Sequence, residues 1–182
     1  MACDLTLGRN EDCKSSLGGI DAIYFVNFGE MGNITLGTDD EVTDADGTFS
    51  AYKYTVKSTA TNFEQTINSS RDNGTTFISQ VVNMTLKGLS KTDNKELKLM
   101  AWGRPQVIVE DRNGNAFLFG LERGAEVTGG TAVSGGAMGD LSGYTLSLTA
   151  EEATFANIIE GAVKGDPFVG LTSATATIVE GV

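Results

Sequence analysis

The chain has 182 residues, of which 40% are hydrophobic and 20% charged, a composition that suits one domain with a substantial core and argues against disorder. Lys and Arg number 13 against 24 Asp and Glu, so the formal net charge is -11 and the surface repels nucleic acid. Histidine is absent, which excludes Ser-His-Asp and Cys-His catalysis, HExxH zinc sites and His-ligated haem.

The N-terminal segment carries no export signal. Residues 1–6 lack the basic stretch and apolar run of a secretory leader, and no window reaches the roughly eighteen apolar residues of a membrane span. If the chain is complete, we expect it to be made and kept in the cytosol. Residues 1–18 are polar and predict an N-terminal arm. In a reducing compartment Cys3 and Cys13 are expected to be free thiols rather than a disulfide, and two Cys without His leave a zinc site short of ligands.

The first half of the chain alternates apolar and polar residues with period two, which predicts strands. Residues 21–28 are almost continuously apolar and predict a strand buried on both faces. The pair Asn73-Gly74 favours a tight hairpin turn, because both residues accept a positive φ. The remaining segments are a short strand at 34–37, an acidic loop at 38–48, and alternating strands at 49–56, 61–69 and 75–87.

One side of the strand at 75–87 is apolar except for a single glutamine. The polar faces carry Thr, Gln, Asn and Lys, which is typical of a sheet with one face in water. We therefore expect 49–69 and 75–87 to form two or three long antiparallel strands. The residues on the apolar side are Ile78, Gln80, Val82, Met84 and Leu86.

Two capping boxes predict short helices. Ser90 with Asp93 opens a helix at 94–102, which Gly103 and Pro105 end. Thr149 with Glu152 predicts a second helix. The residues expected on its inward face are Phe155, Ile158 and Ile159.

The second half of the chain is otherwise strand and turn. The clearest local pattern is a hairpin with strands at 106–109 and 116–119 around Asn113-Gly114. The Gly-rich stretch at 124–143 is either a flexible loop or a pair of small-residue strands. Strands at 144–148 and 172–179 complete the chain, with a turn at 166–170. We predict one mainly β domain over 1–182, an antiparallel β-sandwich or open barrel with one or two short helices.

The acidic loop offers oxygen ligands of the kind that calcium prefers. The EF-hand register fails, because placing Gly47 sixth puts Val42 first and Lys53 last. A solvated turn that aids solubility is the better interpretation, and no metal or cofactor site is assigned. The carboxylates concerned are Asp39, Asp40, Glu41, Asp44 and Asp46.

Four other groups of residues have structural interpretations. Gly129-Gly130 and Gly135-Gly136 lie outside any phosphate-loop motif, so mobility or close packing explains them better. Glu151 and Glu152 fit the start of the second helix, and Trp102 is expected to anchor a helix end in the core. No catalytic residue is assigned. The arginines expected to meet surface or interface carboxylates are Arg104, Arg112 and Arg123.

Two segments resemble the latter half of tailed-phage tail tube (major tail) proteins. They are Phe119-Gly-Leu-Glu-Arg-Gly-Ala-Glu126 with the Gly-rich stretch after it, and Asp140-Leu-Ser-Gly-Tyr-Thr-Leu-Ser-Leu-Thr-Ala-Glu-Glu152. The N-terminal segments Cys3 to Arg9 and Gly18 to Phe25 are similar to the start of some tailed-phage virion proteins. The resemblance implies a β-sandwich flanked by a helix, stacking as hexameric rings into a hollow tube that conducts DNA during ejection. It also implies a virion protein assembled in the host cytoplasm, whose partners are other tail or virion proteins.

The acidic balance fits such a conduit. Each Lys or Arg contact with a phosphate adds affinity and would arrest sliding, whereas a wall rich in Asp and Glu repels the polyanion. We expect the strands at 49–56, 61–69 and 75–87 to form that wall by pairing edge to edge between copies, with Thr, Gln, Asn and Glu facing the lumen. The acidic loop and the N-terminal arm would reach the ring above or below.

Other functions stay open. A capsid decoration or head-associated β protein would also be symmetric and non-enzymatic. A calcium- or carbohydrate-binding β module belongs to a different class, and a hydrolase comes last because no nucleophile has an identifiable base.

Overall fold

A computed structural model describes residues 7–10, 14, 16–57 and 59–181. Strands predominate, and their alternating burial follows the period-two patterns of the sequence. Within the described residues there is one helix, α1 (Lys91–Trp102). The strands are β1 (Ile20–Val26), β2 (Ile34–Leu36), β3 (Val42–Ala45), β4 (Thr48–Thr55), β5 (Asn62–Ser70), β6 (Thr75–Lys87), β7 (Gln106–Asp111), β8 (Ala116–Phe119), β9 (Glu126–Val133), β10 (Gly143–Glu152), β11 (Asn157–Ile158) and β12 (Thr175–Glu180).

The strands form two main sheets. The six-stranded sheet has the order β11-β8-β7-β1-β4-β12, and the four-stranded sheet has the order β5-β6-β10-β9. Neighbours run antiparallel except β4 and β12, which pair in parallel. A separate hairpin joins β2 to β3. The prediction of a mainly β, antiparallel sandwich is confirmed, and the sheets do not close into a barrel.

The central strands of the six-stranded sheet are buried on both faces. One face packs against the four-stranded sheet and α1, through a cluster that includes Phe25, Val107, Phe119, Val82 and Leu148. The other face packs against the β2–β3 hairpin and the segment at 159–171, through a second cluster that includes Tyr24, Ile108 and Phe168. Every residue of β1 is buried except Asp21, which is half-buried, so the predicted strand with two buried faces is confirmed.

Helix α1 has the predicted capping residues and ends as predicted, but it begins at Lys91, three residues before the predicted range 94–102. The Ser90 Oγ accepts the backbone N–H of Asp93 at 3.0 Å, and the Gly103 N–H donates to the Leu99 carbonyl at 3.0 Å. Leu97 and Met100 are buried against the sandwich. Local capping and the apolar spacing therefore suffice to define this element.

The predicted second helix is wrong. Residues 149–152 complete β10, whose register with β6 runs without interruption from Gly143 to Glu152, opposite Ile78. The carboxylate of Glu152 is buried and accepts the backbone N–H groups of Glu122 and Arg123 at 3.1 and 2.9 Å. Pairing along ten residues outweighs a four-residue capping pattern. Ile159 is buried as expected, whereas Phe155 and Ile158 are exposed.

Two segments for which the sequence predicted or allowed a loop contain strands. Within the acidic segment at 38–48, Val42 and Ala45 are fully buried and belong to β3, which pairs with β2. Within the Gly-rich stretch, residues 126–133 form β9, so the strand alternative holds for that part. A Cβ atom at position 130 would lie 2.7 Å from the carbonyl oxygen of Thr145 on the neighbouring strand, which explains the glycine there.

Candidate assembly surface

The outward face of the four-stranded sheet is polar and almost free of cations. By alternation from the buried residues of β6 and β10, this face carries mostly hydroxyl and amide side chains, with two glutamates on β5 and β10 and the apolar Phe77 and Val81, and Lys87 stands at its end. Such a face neither packs a core nor attracts phosphate. We call it the polar face. Its members on three strands are Asn62, Glu64, Thr66, Asn68, Phe77, Ser79, Val81, Asn83, Thr85, Thr145, Ser147, Thr149 and Glu151.

Side chains on the polar face bind each other across the strands. The hydroxyls of Thr131 and Thr145 lie 2.7 Å apart, and those of Thr128 and Thr149 lie 2.9 Å apart. The Asn83 amide donates to Asn62 Oδ1 at 3.1 Å. These cross-strand pairs fix rotamers on a surface that would otherwise be mobile.

Among the described residues, no strand pairs with either outer edge of this sheet. The edge strands are β5 and β9, and neither contains Pro, Lys or Arg, the residues that usually protect an edge from pairing with another chain. In β9 a bulge at Thr128 interrupts the register with β10, and residues 129–133 continue regularly beyond it. One unprotected edge therefore lies on each side of the sheet, at β5 and at β9, as edge-to-edge pairing between copies requires.

The structure does not place all three predicted wall strands together. β5 and β6 are neighbours, but β4, which covers the predicted strand 49–56, pairs with β1 and β12 in the other sheet. Its alternation buries Phe49 and Ala51 in the second core cluster, an apolar environment that the polar sheet cannot supply. The strand missing from the predicted wall is β10, whose outward Thr and Ser residues lie on the polar face. Their alternation with apolar residues is the signal in the sequence.

The two glutamines of this sheet face inward. Gln80 is 2% exposed; its amide donates to the Thr154 carbonyl at 3.0 Å and its Oε1 accepts the Gly120 N–H at 3.1 Å. Gln65 Oε1 accepts the Ala156 N–H at 2.7 Å. Gln80 thus lies on the apolar side of its strand, as its place in the alternation predicts. The expectation that Gln side chains face the lumen is wrong, because buried backbone groups need these partners.

The five carboxylates considered for calcium do not form one cluster: Asp39, Asp40 and Glu41 line one groove, whereas Asp44 and Asp46 bind other residues. Asp44 accepts the backbone N–H and the hydroxyl of Ser173, at 3.0 and 2.6 Å, and Asp46 binds Asn33. The Glu41 carboxylate accepts the Asp39 N–H at 2.8 Å. Among the described residues, no three His, Cys, Asp or Glu side chains are grouped so that they could hold a metal ion. The hydrogen bonds that Asp44 accepts, chiefly those from Ser173, lower the pKa of its carboxyl group.

Asp46 binds Asn33 directly before β2, and this contact predicts that the stability of the fold depends on pH. Its Oδ1 and Oδ2 accept the backbone and side-chain N–H groups of Asn33 at 2.6 and 2.8 Å, and these bonds lower the pKa of Asp46. Since the folded pKa lies below the unfolded one of about 3.9, the stabilisation is present above that value and is lost as pH falls through the folded pKa. Asp46→Asn should flatten the stability profile below about pH 4 in urea unfolding.

The matched variant for this prediction is Asn33→Ala, which removes one donor to the Asp46 carboxylate and keeps the backbone donor. Its profile should lie between those of the wild type and Asp46→Asn. Parallel wild-type and Asp46→Asn profiles between about pH 2 and 5 would contradict the assignment.

Trp102 and the arginines occupy surface positions. Trp102 is 77% exposed, with the Lys98 Nζ 4.7 Å from the ring centroid, so its expected role as a core anchor is wrong. The last turn of α1 buries Met100 and directs Trp102 outward. Arg112 approaches Asp21 at 3.7 Å, as predicted, whereas the Arg104 guanidinium stacks over Phe28 at 4.4 Å. Arg123 is exposed.

The remaining candidates are glycines and cysteines. Gly129 and Gly130 lie in β9. The carboxylate of Asp140 accepts the Gly136 N–H at 2.9 Å, so this turn already has its anion. Cys3 and Cys13 lie outside the described residues. No helix in the described part of the chain is long and apolar enough to cross a membrane.

Comparison with known proteins finds no match: no protein-family model, no curated protein sequence and no solved structure matches this chain.

Proposed function

We propose that this chain is a phage virion structural protein, the tail tube protomer, whose copies join into hexameric rings that stack into a DNA-conducting tube. The observation that carries the proposal is a four-stranded sheet with two unprotected edges and a polar, cation-poor outward face. The resemblance of residues 119–126 and 140–152 to tail tube proteins supports it. No catalytic residue is part of the proposal.

The dimensions of the sheet suit a conduit. Six copies of a four-stranded sheet joined edge to edge would give 24 strands. At about 4.8 Å per strand the ring would measure about 115 Å around and about 37 Å across between backbones, and strand tilt would widen it. Side chains from the polar face would narrow this bore and still leave room for a duplex.

The charge of the polar face suits passage rather than binding. Glu64 and Glu151 are its charged members away from the ends, and Lys87 lies at one end. Sequence-independent DNA affinity comes from Lys and Arg contacts with phosphates, so a wall with few cations lets the polymer slide. Hydroxyl and amide groups keep the wall hydrated.

The test is negative-stain electron microscopy of the purified chain at high concentration. We expect rings or long hollow fibres. A discrete small oligomer that binds only assembled shells would instead indicate the capsid decoration function. A melting temperature raised by millimolar calcium, and no longer raised in Asp44→Asn with Asp46→Asn, would indicate a calcium module. A chain that stays monomeric would contradict the tube.

A pair of edge variants tests the pairing itself. Backbone N–H groups alternate direction along a strand, so of Thr131→Pro and Ala132→Pro one removes a donor to β10 and the other a donor on the open edge. Thermal unfolding tells them apart, because the edge variant keeps the stability of the monomer. That variant should form no rings, and rings formed by it would contradict edge-to-edge pairing through β9.

A further inference from the structure

An exposed face of α1 concentrates positive charge in a strongly acidic protein. Lys91, Lys95 and Lys98 recur at helical spacing with Trp102 next in the series, and all four are exposed. Leu99 beside them is 52% exposed. Lys98 stacks on Trp102, and Lys95 approaches Glu96 at only 3.8 Å. We call Lys91, Lys95, Lys98, Leu99 and Trp102 the basic helix face.

A groove of about 770 Å³ has the opposite character. Among the residues that the structure describes, four carboxylates and the exposed Phe155 and Ile158 line it, and no Lys or Arg does. Phe155 is 49% exposed and Ile158 is 46% exposed. We call this the acidic groove, with the lining residues Asp39, Asp40, Glu41, Phe155, Ile158 and Glu160.

The acidic groove also contains a buried acceptor without a donor. Asn157 lines the groove and is 4% exposed; its amide donates to the Asp40 carbonyl at 2.6 Å. Its Oδ1 has no hydrogen-bond partner within the described part of the chain. Buried acceptors are normally paired, so a donor brought by a docked segment would satisfy this atom.

The two surfaces lie on opposite sides of the sandwich, each beside one open edge. Helix α1 packs next to β9, and Ser90 and Asn94 of its first turn bind the Tyr144 hydroxyl of β10. The acidic groove lies beside β5, since Gln65 binds Ala156, and Phe63 stacks on Phe117 of β8. Pairing of β9 with β5 of a second copy would therefore bring a basic helix face toward an acidic groove.

We infer that the basic helix face of one copy docks in the acidic groove of the next, as the second half of the contact between neighbouring protomers. This inference rests on the proposed self-assembly and names its partner surface. Opposite charges meet, Trp102 and Leu99 cover Phe155 and Ile158, and the contact is head-to-tail, so it closes rings rather than pairs. The same charges disfavour docking in a wrong register, because like charges would then face each other.

Charge reversal tests the contact. Lys95→Glu with Lys98→Glu, or Asp40→Lys with Glu160→Lys, should each weaken self-association about tenfold or more in sedimentation velocity. A 1:1 mixture of the two double variants offers two compatible contacts, acidic helix face to basic groove and basic helix face to acidic groove, so the mixture should regain the association that each variant alone has lost. Reversing both surfaces in one chain should restore assembly.

Fluorescence gives a direct reading, because Trp102 is the sole tryptophan. Its emission should shift to the blue when rings form, and the shift should be absent in the charge-reversed variants. The matched controls are Arg71→Glu and Asp72→Lys in the β5–β6 turn, which belongs to neither surface. They should assemble as the wild type does.

The outcomes separate the two proposals. Hollow tubes that form equally well from the charge-reversed variants, with unchanged Trp102 emission, would overturn the docking and leave the tube intact. Charge-sensitive association that never yields a hollow ring would support the docking and overturn the tube. A wild type that shows neither association nor a Trp102 shift would overturn both.

Discussion

Replacement of Glu110 by alanine is expected to lower the free energy of unfolding by roughly 1–3 kcal/mol. Glu110 lies on β7 and is 3% exposed. Its carboxylate accepts the Tyr24 hydroxyl at 2.8 Å and the Gly165 N–H at 2.9 Å. Alanine would leave the Tyr24 hydroxyl with only its longer bond to the Gly165 carbonyl, at 3.3 Å, whereas the exposed Gly165 N–H can bind water. The loss therefore comes chiefly from the buried hydroxyl, at about 1–3 kcal/mol.

The pKa of the Tyr24 hydroxyl reflects both its burial and its hydrogen bond to Glu110. Burial raises the pKa of Tyr24, and the hydrogen bond to Glu110 raises it further. The hydroxyl therefore stays protonated and remains a donor across the ordinary pH range. The bond ties the middle of the six-stranded sheet to the segment at 159–171, which covers its outer face.

Three variants make the Glu110 experiment decisive in urea unfolding. Glu110→Gln keeps one acceptor and should lie between the wild type and Glu110→Ala. Tyr24→Phe removes one donor and should cost less than Glu110→Ala. The exposed Glu122→Ala should change stability by less than about 0.5 kcal/mol. A Glu110→Ala effect no larger than that of Glu122→Ala would show that these hydrogen bonds contribute nothing net.

The sequence predicts the elements whose signals are local. Helix α1 follows from Ser90 and Gly103, and the β7–β8 hairpin follows from Asn113-Gly114 between two apolar runs. Burial of β1 on both faces follows from its unbroken apolar run. In each case the physical cause lies within a dozen residues, so no knowledge of the neighbours is needed.

The wrong predictions all depend on distant partners. Residues 149–152 satisfy a capping box, yet β6 holds them in a strand, because ten paired residues outweigh one cap. Strand β4 looks as polar as β5, yet its partners are β1 and the parallel β12 from the end of the chain. Trp102 is apolar enough for a core, and only the packing of α1 directs it outward. Strand pairing over long separations is not encoded locally.

The candidate assembly surface could be predicted only in part. Period-two alternation identifies the outward Thr and Asn residues of β5 and β6, but it cannot say that β10 and β9 complete their sheet and leave two edges open. The acidic groove joins residues 39–41 with 153–160, more than a hundred positions apart. A tertiary contact had to place them together.

Replacement of Gln80 by leucine is expected to cost about 2–4 kcal/mol, although it places an apolar residue at a core position. Leucine is apolar but has no hydrogen-bonding group, so it leaves the Gly120 N–H and the Thr154 carbonyl, which Gln80 binds at 3.1 and 3.0 Å, without partners. The volume-conserving Met84→Leu on the same face of β6 should cost less than about 1.5 kcal/mol.

The Gln80 bond reaches beyond stability, because Thr154 belongs to the segment that lines the acidic groove. Gln65, opposite Gln80 in the sheet, holds the same segment through Ala156. Gln80→Leu should therefore increase hydrogen exchange at residues 153–158 more than at α1, and weaken ring assembly at temperatures where the variant is still folded. Uniform exchange throughout the chain, or a stability equal to that of Met84→Leu, would mean that the glutamine does not hold the groove in place.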